Sequence, residues 1–184
     1  ALPPSAAIAL FELPTVAAGL EAKLRSQFPD RRFQVIPGDC NQQLPRVLSR
    51  LQRQNFHLAP AFAFIDPYSS GSLQWTTLQR LSDFKRSQKS KVELWILFYG
   101  SDIPRVIGQD GSKAAEQLTR TFGSLEWRPI AEGRREGVLT AEQARREYTN
   151  LLRWRLHVVL EYQQTHTLEI RNTSGAYLYD LVFA

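Results

Sequence analysis

The most constraining feature of the sequence is a short apolar run, Ala61 to Ile65, that passes directly into Asp66, Pro67 and Tyr68. An uninterrupted apolar run bounded by proline and glycine is typical of a strand buried on both faces, as in a parallel α/β sheet. Ligands bind at the carboxyl ends of such strands, which is where Asp66 stands. Its carboxylate can accept hydrogen bonds from an amino group, and the Tyr68 ring can stack on a flat partner such as a base. The alternative is a strand followed by an ordinary Asp-Pro turn.

Strand-like and helix-like patterns alternate over the first hundred residues, which predicts right-handed βαβ units and a doubly wound, mostly parallel sheet. Pro14 predicts the first turn of one helix and Asn41 the N-cap of the next. The predicted strands are Ala6–Glu12, Phe33–Ile36, Ala61–Ile65 and Val92–Phe98.

The second half of the chain does not continue the regular alternation of strands and helices. A basic run, Lys85 to Lys91, predicts a solvated loop, and the basic, glycine-rich stretch Glu132 to Gly137 predicts a mobile one. A short helix is expected over Lys113 to Phe122, and Thr140 followed by Gln143 predicts the capped start of a long helix.

Three closing strands are expected, and Asn172 to Gly175 predicts a hairpin turn between the last two. An antiparallel finish of this kind on a parallel sheet is a common mixed arrangement. The length suits one domain, so we expect residues 1–184 to form a single α/β domain. The three predicted closing strands are Val158–Tyr162, Thr167–Arg171 and Tyr177–Phe183.

Composition narrows the setting of the protein. A single cysteine, Cys40, cannot form an internal disulfide, which indicates a reducing compartment such as the cytoplasm. The three histidines are scattered, so no zinc cluster is expected. No apolar run approaches the roughly 18 residues that span a bilayer, so no membrane partner is expected.

The charge of the chain indicates a class of partner. The net charge is +5, and of 23 basic residues five are lysine, which leaves 23 − 5 = 18 arginines. Because arginine suits phosphate and other planar bidentate partners, the excess favours a nucleic-acid or nucleotide-phosphate partner. The alternative is a compositional bias that places arginines on solvated helix faces, since the arginines are spread along the chain.

Three acids stand at the ends of predicted strands: Glu12, Asp39 and Asp66. In a doubly wound sheet these ends share one edge. Glu12 can bind both hydroxyls of a ribose, Asp39 can accept from an adenine amino group, and Asp66 would face a second substrate. Each acid can instead be a helix N-cap or a turn residue.

Other kinds of site find less support in the sequence. Phosphate-binding glycine motifs and the GxSxG nucleophile motif are absent from the sequence. Cys40 beside Asp39 is either a nucleophile or, more commonly, a small buried residue. A metal-dependent nuclease would pair Asp66 with Glu93, but Glu93 lies early in its predicted strand, away from the end.

The order of several motifs resembles the three-Cys-motif partner family. The stretches that carry the resemblance are FEL, GDCN, AFAFIDPYSSG, KVELWILFYG, FGSLEWRPI, REYTNLLRWRL and GAYLYDLVFA. This family is similar to class I S-adenosylmethionine-dependent methyltransferases. The resemblance implies S-adenosylmethionine as cofactor and a methyltransferase-like activity on nucleic acid or on a nucleic-acid-associated partner. The alternative is a non-catalytic partner protein with a degenerate methyltransferase fold.

The resemblance also assigns residues. Glu12 matches the acid that binds the ribose, and Asp39, with Cys40 beside it, matches the acid near the adenine. Asp66-Pro67-Tyr68 matches the (D/N)PP(Y/F) motif of amino-group methyltransferases, with the second proline absent. Such enzymes bind the methionine part of the cofactor on a glycine-rich loop after the first strand. The eleven residues before Glu12 hold no such loop, so we expect it and its strand to precede residue 1.

Overall fold

The computed structural model describes residues 6–68, 70–85, 90–101, 103 and 113–184, and within these residues six strands form two sheets. The chain is of the mixed α/β class and divides after Phe56 into two compact units. The prediction of one domain over residues 1–184 stays a prediction. No helix in the described part of the chain combines the length and the apolar content that crossing a membrane requires.

The first unit is a parallel strand pair with two helices. Its elements are β1 (Ala7–Glu12), α1 (Pro14–Gln27), β2 (Arg32–Pro37) and α2 (Cys40–Arg53). Pro14 occupies the first turn of α1, as predicted. The N-cap of α2 is Asp39 and not Asn41, because the Asp39 carboxylate accepts a hydrogen bond from the Asn41 N–H at 2.9 Å.

The second unit contains a four-stranded mixed sheet in the order β3-β4-β6-β5. β3 runs parallel to β4, whereas β6 is antiparallel to both β4 and β5, so the predicted antiparallel finish is present. The strands are β3 (Phe62–Ile65), β4 (Glu93–Phe98), β5 (His166–Arg171) and β6 (Tyr177–Phe183).

The core of the second unit is formed by one face of this sheet together with the described helices. Fully buried side chains from β4 and β6, including Ile96 and Val182, accompany Leu152 and Leu156 of the longest helix. That helix starts with the predicted capping box, because Thr140 and Gln143 exchange side chain-to-backbone hydrogen bonds. The helices are α3 (Trp75–Asp83), α4 (Lys113–Phe122), α5 (Arg128–Arg135) and α6 (Ala141–Val158).

Two strand predictions are wrong. The stretch Val158–Tyr162 is not a strand, because α6 continues to Val158 and the chain then turns so that Leu160 and Tyr162 are buried. β3 is not buried on both faces: it is an edge strand, and Phe62 and Phe64 are each 56% exposed. An apolar run alone does not distinguish an edge strand from a central one.

Two loop predictions are also corrected. Residues up to Arg135 of the expected mobile loop belong to α5, and Gly133 allows close packing there because a Cβ would lie 3.2 Å from the Leu139 side chain. Lys85 is not solvated: it is 2% exposed, and its Nζ donates to the Ala59 carbonyl at 2.7 Å. The middle of that predicted loop, residues 86–89, lies outside the described residues.

A buried charged cluster joins α6 to the β5–β6 hairpin. Arg145 donates to both carboxylate oxygens of Asp180, at 3.1 and 2.9 Å, and to Glu169 at 2.6 Å. Thr149 also donates to Asp180, at 2.6 Å. Burial alone would raise the pKa of Glu169, but hydrogen bonds from Arg145 and Arg171 outweigh it and hold the pKa below its ordinary value.

The lowered pKa of Glu169 predicts a loss of stability in acid. The pKa of Glu169 is lower in the folded protein than in the unfolded chain. Ionised Glu169 therefore stabilises the folded protein at a pH above its unfolded pKa, and this stabilisation is lost as the pH falls through its folded pKa. We expect the urea midpoint of wild type to fall more steeply between about pH 5 and about pH 3 than that of Glu169→Gln. Glu147→Gln, which alters an exposed glutamate of α6, should keep the wild-type slope. Equal slopes in all three proteins would contradict the role of the cluster.

Two buried tyrosines provide a matched test of packing. The Tyr148 hydroxyl is buried with no hydrogen-bond partner in the described part of the chain, whereas the Tyr162 hydroxyl donates to the Val92 carbonyl at 3.0 Å. We expect Tyr148→Phe to raise the free energy of unfolding by about 1 kcal/mol and Tyr162→Phe to lower it by about 1 kcal/mol. Urea unfolding followed by tryptophan fluorescence measures both, since all four tryptophans belong to the second unit. A destabilised Tyr148→Phe variant would show that its hydroxyl has a partner.

Candidate functional site

The parallel pairing of β3 with β4 brings Asp66 and Tyr99 to the same sheet edge. Ile65 lies opposite Ile96, so Asp66 after β3 and Tyr99 after β4 lie at the same end of the strand pair. The Tyr99 hydroxyl donates a hydrogen bond to Oδ1 of Asp66 at 3.1 Å. Asp66 is exposed, so its carboxylate is oriented by Tyr99 while it remains accessible to a ligand.

Aromatic side chains accompany this carboxylate. Tyr68 follows it in the chain and is 94% exposed, and Pro67 between them restricts the backbone. The Tyr99 ring packs edge-on against Tyr179 of β6, with 5.6 Å between ring centroids. The edge therefore presents a hydrogen-bond acceptor and an exposed flat ring, a combination suited to an amino-bearing planar group.

Tyr99 and Tyr179 were not identified from the sequence. The signal for Tyr99 was present, because an aromatic residue follows the strongest apolar run in the chain. Its contact with Asp66 depends on the β3–β4 register, and its contact with Tyr179 depends on β6 lying antiparallel beside β4. Neither pairing can be read from the order of residues alone.

In the first unit, Glu12 and Asp39 lie at the carboxyl edge of the β1–β2 pair. Glu12 is opposite Pro37, and its carbonyl accepts a hydrogen bond from the Gly38 N–H at 2.9 Å. Gly38 has φ +117°, and a Cβ there would approach the Gln43 side chain to 3.3 Å, so this turn requires glycine. Two of the three predicted acids thus lie at one end of the β1–β2 pair, whereas Asp66 follows β3 of the other sheet, so the prediction that all three share one sheet edge is wrong.

Both of these carboxylates take part in local hydrogen bonds. The Glu12 side chain accepts from the Leu13 N–H at 2.8 Å, and one oxygen of Asp39 accepts from the backbone and side-chain nitrogens of Asn41. These are the turn and capping roles that the sequence left open. A carboxylate offers about four lone-pair positions, so acceptor capacity remains for a ligand at each.

Cys40 is the first residue of α2 and is half-buried. Burial, and secondarily the negative charge of Asp39, raise the pKa of the Cys40 thiol. Since the thiolate is the reactive form, this environment disfavours a nucleophilic cysteine. The assignment of Cys40 to cofactor binding stays a prediction.

A metal-dependent site receives no support from the geometry. Within the described ranges, no three histidine, cysteine, aspartate or glutamate side chains are grouped so that they could hold a metal ion. Glu93 begins β4, opposite Phe62, and accepts a hydrogen bond from the Trp95 indole at 2.7 Å. It therefore lies at the other end of the strand pair from Asp66.

Comparisons with protein-family models, with curated proteins and with solved structures gave no match for this chain. The resemblance to the three-Cys-motif partner family stays a prediction.

The electrostatics at the start of α2 can be tested through Cys40, the single cysteine. Replacing Asp39 with asparagine removes a negative charge beside the thiol and keeps a good N-cap residue. We expect Asp39→Asn to lower the pKa of Cys40 and to speed its reaction with a disulfide reagent near pH 8. Asp30→Asn, which removes an exposed charge elsewhere in the same unit, should react like wild type. A reaction profile unchanged by Asp39→Asn would remove Asp39 as a cause of the raised pKa.

Proposed function

We propose that this protein is a methyltransferase-like enzyme that transfers the methyl group of S-adenosylmethionine to nucleic acid or to a nucleic-acid-associated partner. One observation carries the proposal: an exposed carboxylate, Asp66, is oriented by Tyr99 at the carboxyl end of a parallel strand and is followed by the exposed Tyr68 ring. These groups support the proposal because a carboxylate can accept from an amino group and a tyrosine ring can stack on a planar ring.

The substrate side of the proposal follows from hydrogen-bond capacity. An amino group has two N–H donors, and the Asp66 carboxylate and the backbone carbonyl beside it can accept one each. When both N–H groups are held, the nitrogen lone pair is directed out of the ring plane, where a methyl donor can approach it. Tyr68 would stack on the ring and so fix its plane. Tyr99 acts as a positioning residue, because its hydroxyl donates to the Asp66 carboxylate.

The cofactor side rests on Glu12 and Asp39. Their remaining acceptor positions fit the hydroxyls of a ribose and the amino group of an adenine, which are donors. When bound, S-adenosylmethionine supplies an electrophilic methyl group. The contribution of these residues is to bind and orient its nucleoside part, with Cys40 beside Asp39 at the start of α2.

The proposal includes a doubly wound sheet of the methyltransferase type. Two parallel βαβ units support it: α1 connects β1 to β2, and α3 lies between β3 and β4 in the chain. The antiparallel β5–β6 hairpin at the end of the second unit is also in keeping with it.

A second candidate is a non-catalytic binding protein with a degenerate methyltransferase fold. The observation that favours it is that Glu12 and Asp39 both have local hydrogen bonds at the starts of helices. Under this reading those two acids are structural, and the protein binds its partner without S-adenosylmethionine.

Calorimetric titration with S-adenosylmethionine, followed by transfer of a labelled methyl group to mixed RNA and DNA, tests the proposal. We expect binding in the wild type, and at least about a 100-fold loss of transfer rate in Asp66→Ala. Asp66→Asn should lose less, because its amide oxygen still accepts a hydrogen bond, and Tyr99→Phe should lose about 10-fold.

The outcomes separate the two candidates. A folded sample that gives no heat with S-adenosylmethionine at high micromolar concentration removes the enzyme and leaves the binding protein. Cofactor binding with full transfer by Asp66→Ala assigns Asp66 to the turn and moves the catalytic site elsewhere.

A further inference from the structure

Helix α2 in the first unit has one face that is polar, exposed and basic. Gln42, Arg46, Ser49 and Arg53 recur every three or four residues, so they line the same side of the helix, and all four are exposed. The opposite side is apolar, with Leu44 and Val47 buried. The burial of the apolar side fixes the basic side toward solvent.

Among the described residues, no acidic side chain neutralises this face. α2 contains three arginines and no acidic residue, whereas each of the other described helices contains at least one. No carboxylate in the described part of the chain is within ion-pair distance of Arg46 or Arg53. By contrast, Arg25 and Arg146 each pair at 2.6 Å with a glutamate one turn away on their own helix.

The basic surface extends onto β2. Arg50 donates to the Gln34 side chain at 2.5 Å, which shows that this part of α2 lies beside the middle of β2. Arg32 lies two residues before Gln34 and on the same face of the strand, and it is exposed. Arg53 lies about one helical turn after Arg50 along α2. We call the four arginines, Arg32, Arg46, Arg50 and Arg53, the α2 basic face.

Helix stability does not account for this face. Arg50 and Arg53 in the last turn interact favourably with the helix dipole. Arg46 lies in the middle of the helix, where the dipole effect is absent, and it has no ion pair in the described structure. An exposed arginine without a partner among the described residues is available to a partner outside the chain.

We propose that the α2 basic face binds the phosphodiester backbone of a nucleic acid. The inference extends the proposed function, since it names where in the first unit a nucleic-acid substrate is held. Arg46 and Arg53 are seven residues apart, about 10 Å along the helix axis. At about 3.4 Å of rise per phosphate of one strand, this spacing covers about three phosphates. Arginine and glutamine side chains are among the donors that proteins use for phosphate contacts.

The chemistry of the face favours nucleic acid over other anionic surfaces. A helix that binds a membrane inserts large apolar side chains, but the apolar side of α2 is turned into the unit, and none of its large hydrophobic residues is exposed. Arginine also matches the planar geometry of phosphate oxygens better than lysine does, and α2 contains arginine alone as its basic residue. Contacts of this kind fix position on the strand and carry no base specificity.

Fluorescence anisotropy on the full chain, without cofactor, tests the proposal. The probes are a labelled single-stranded RNA and a labelled DNA duplex of fixed length, titrated at several KCl concentrations. We expect wild type to bind at least one probe with strong salt dependence, and Arg46→Gln/Arg53→Gln to bind that probe at least about 10-fold more weakly. The slope of log K against log salt should fall by about 1.4 to 1.8, because two phosphate contacts are lost.

A matched control is available in the second unit. Arg120→Gln/Arg135→Gln removes the same amount of charge from two exposed arginines, on helices that also contain acids. We expect this control to bind within about 2-fold of wild type, because these two arginines belong to the second unit and are not part of the α2 basic face. Circular dichroism should show both variants folded. If the double variant of α2 unfolds, Arg46→Gln alone should still lower the slope by about 0.7 to 0.9.

Three results would overturn the proposal: no binding by wild type, equal losses in the α2 variant and its control, or stronger Arg46- and Arg53-dependent binding to anionic vesicles or poly-glutamate. The cofactor titration is independent of this assay. Cofactor binding without nucleic-acid binding would overturn the inference and leave the enzyme. Nucleic-acid binding through α2 without cofactor binding would overturn the enzyme and leave the inference.

Discussion

The parallel register between β3 and β4 determines where the chemistry of the second unit can lie. It places Asp66 and Tyr99 at one sheet edge, and a slip of one residue would turn their side chains to opposite faces. The buried Arg145–Asp180 pair holds α6 to β6 on the other face of the sheet. Because neighbouring strand residues point to opposite faces, anchoring Asp180 inward directs Tyr179 outward against Tyr99. The same sheet therefore has a buried ion pair on one face and an exposed site on the other.

Much of the fold could be predicted where local chemistry decides it. The apolar run of β4, the capping box at Thr140 and the turn at Asn172 each contain their own signal, and each is present. The failures occur where packing decides. Val158–Tyr162 has the composition of a strand, yet it ends a helix and turns into the core. Gly133 suggests a loop, yet it lies inside a helix and packs closely against the Leu139 side chain.

The candidate site was predictable in part for the same reason. An acid after an apolar run can be read from the sequence, so Asp66 is predicted as a site residue, and its exposure at a strand end agrees with that prediction. Its partners Tyr99 and Tyr179 depend on which strands pair and in which register, so they appear only in the structure. Likewise, composition shows that arginine is abundant, but only the burial of Leu44 and Val47 shows which side of α2 presents it to solvent.

The central claim is that the edge formed by Asp66, Tyr68 and Tyr99 receives a flat base. Fluorine NMR of protein labelled with 3-fluorotyrosine tests it most directly, since the chain has six tyrosines and the Tyr68 signal can be assigned with Tyr68→Phe. On addition of a short oligonucleotide, the account predicts that the Tyr68 and Tyr99 signals shift while those of the buried Tyr148 and Tyr162 do not. An oligonucleotide that binds and leaves the Tyr68 signal unchanged would contradict it.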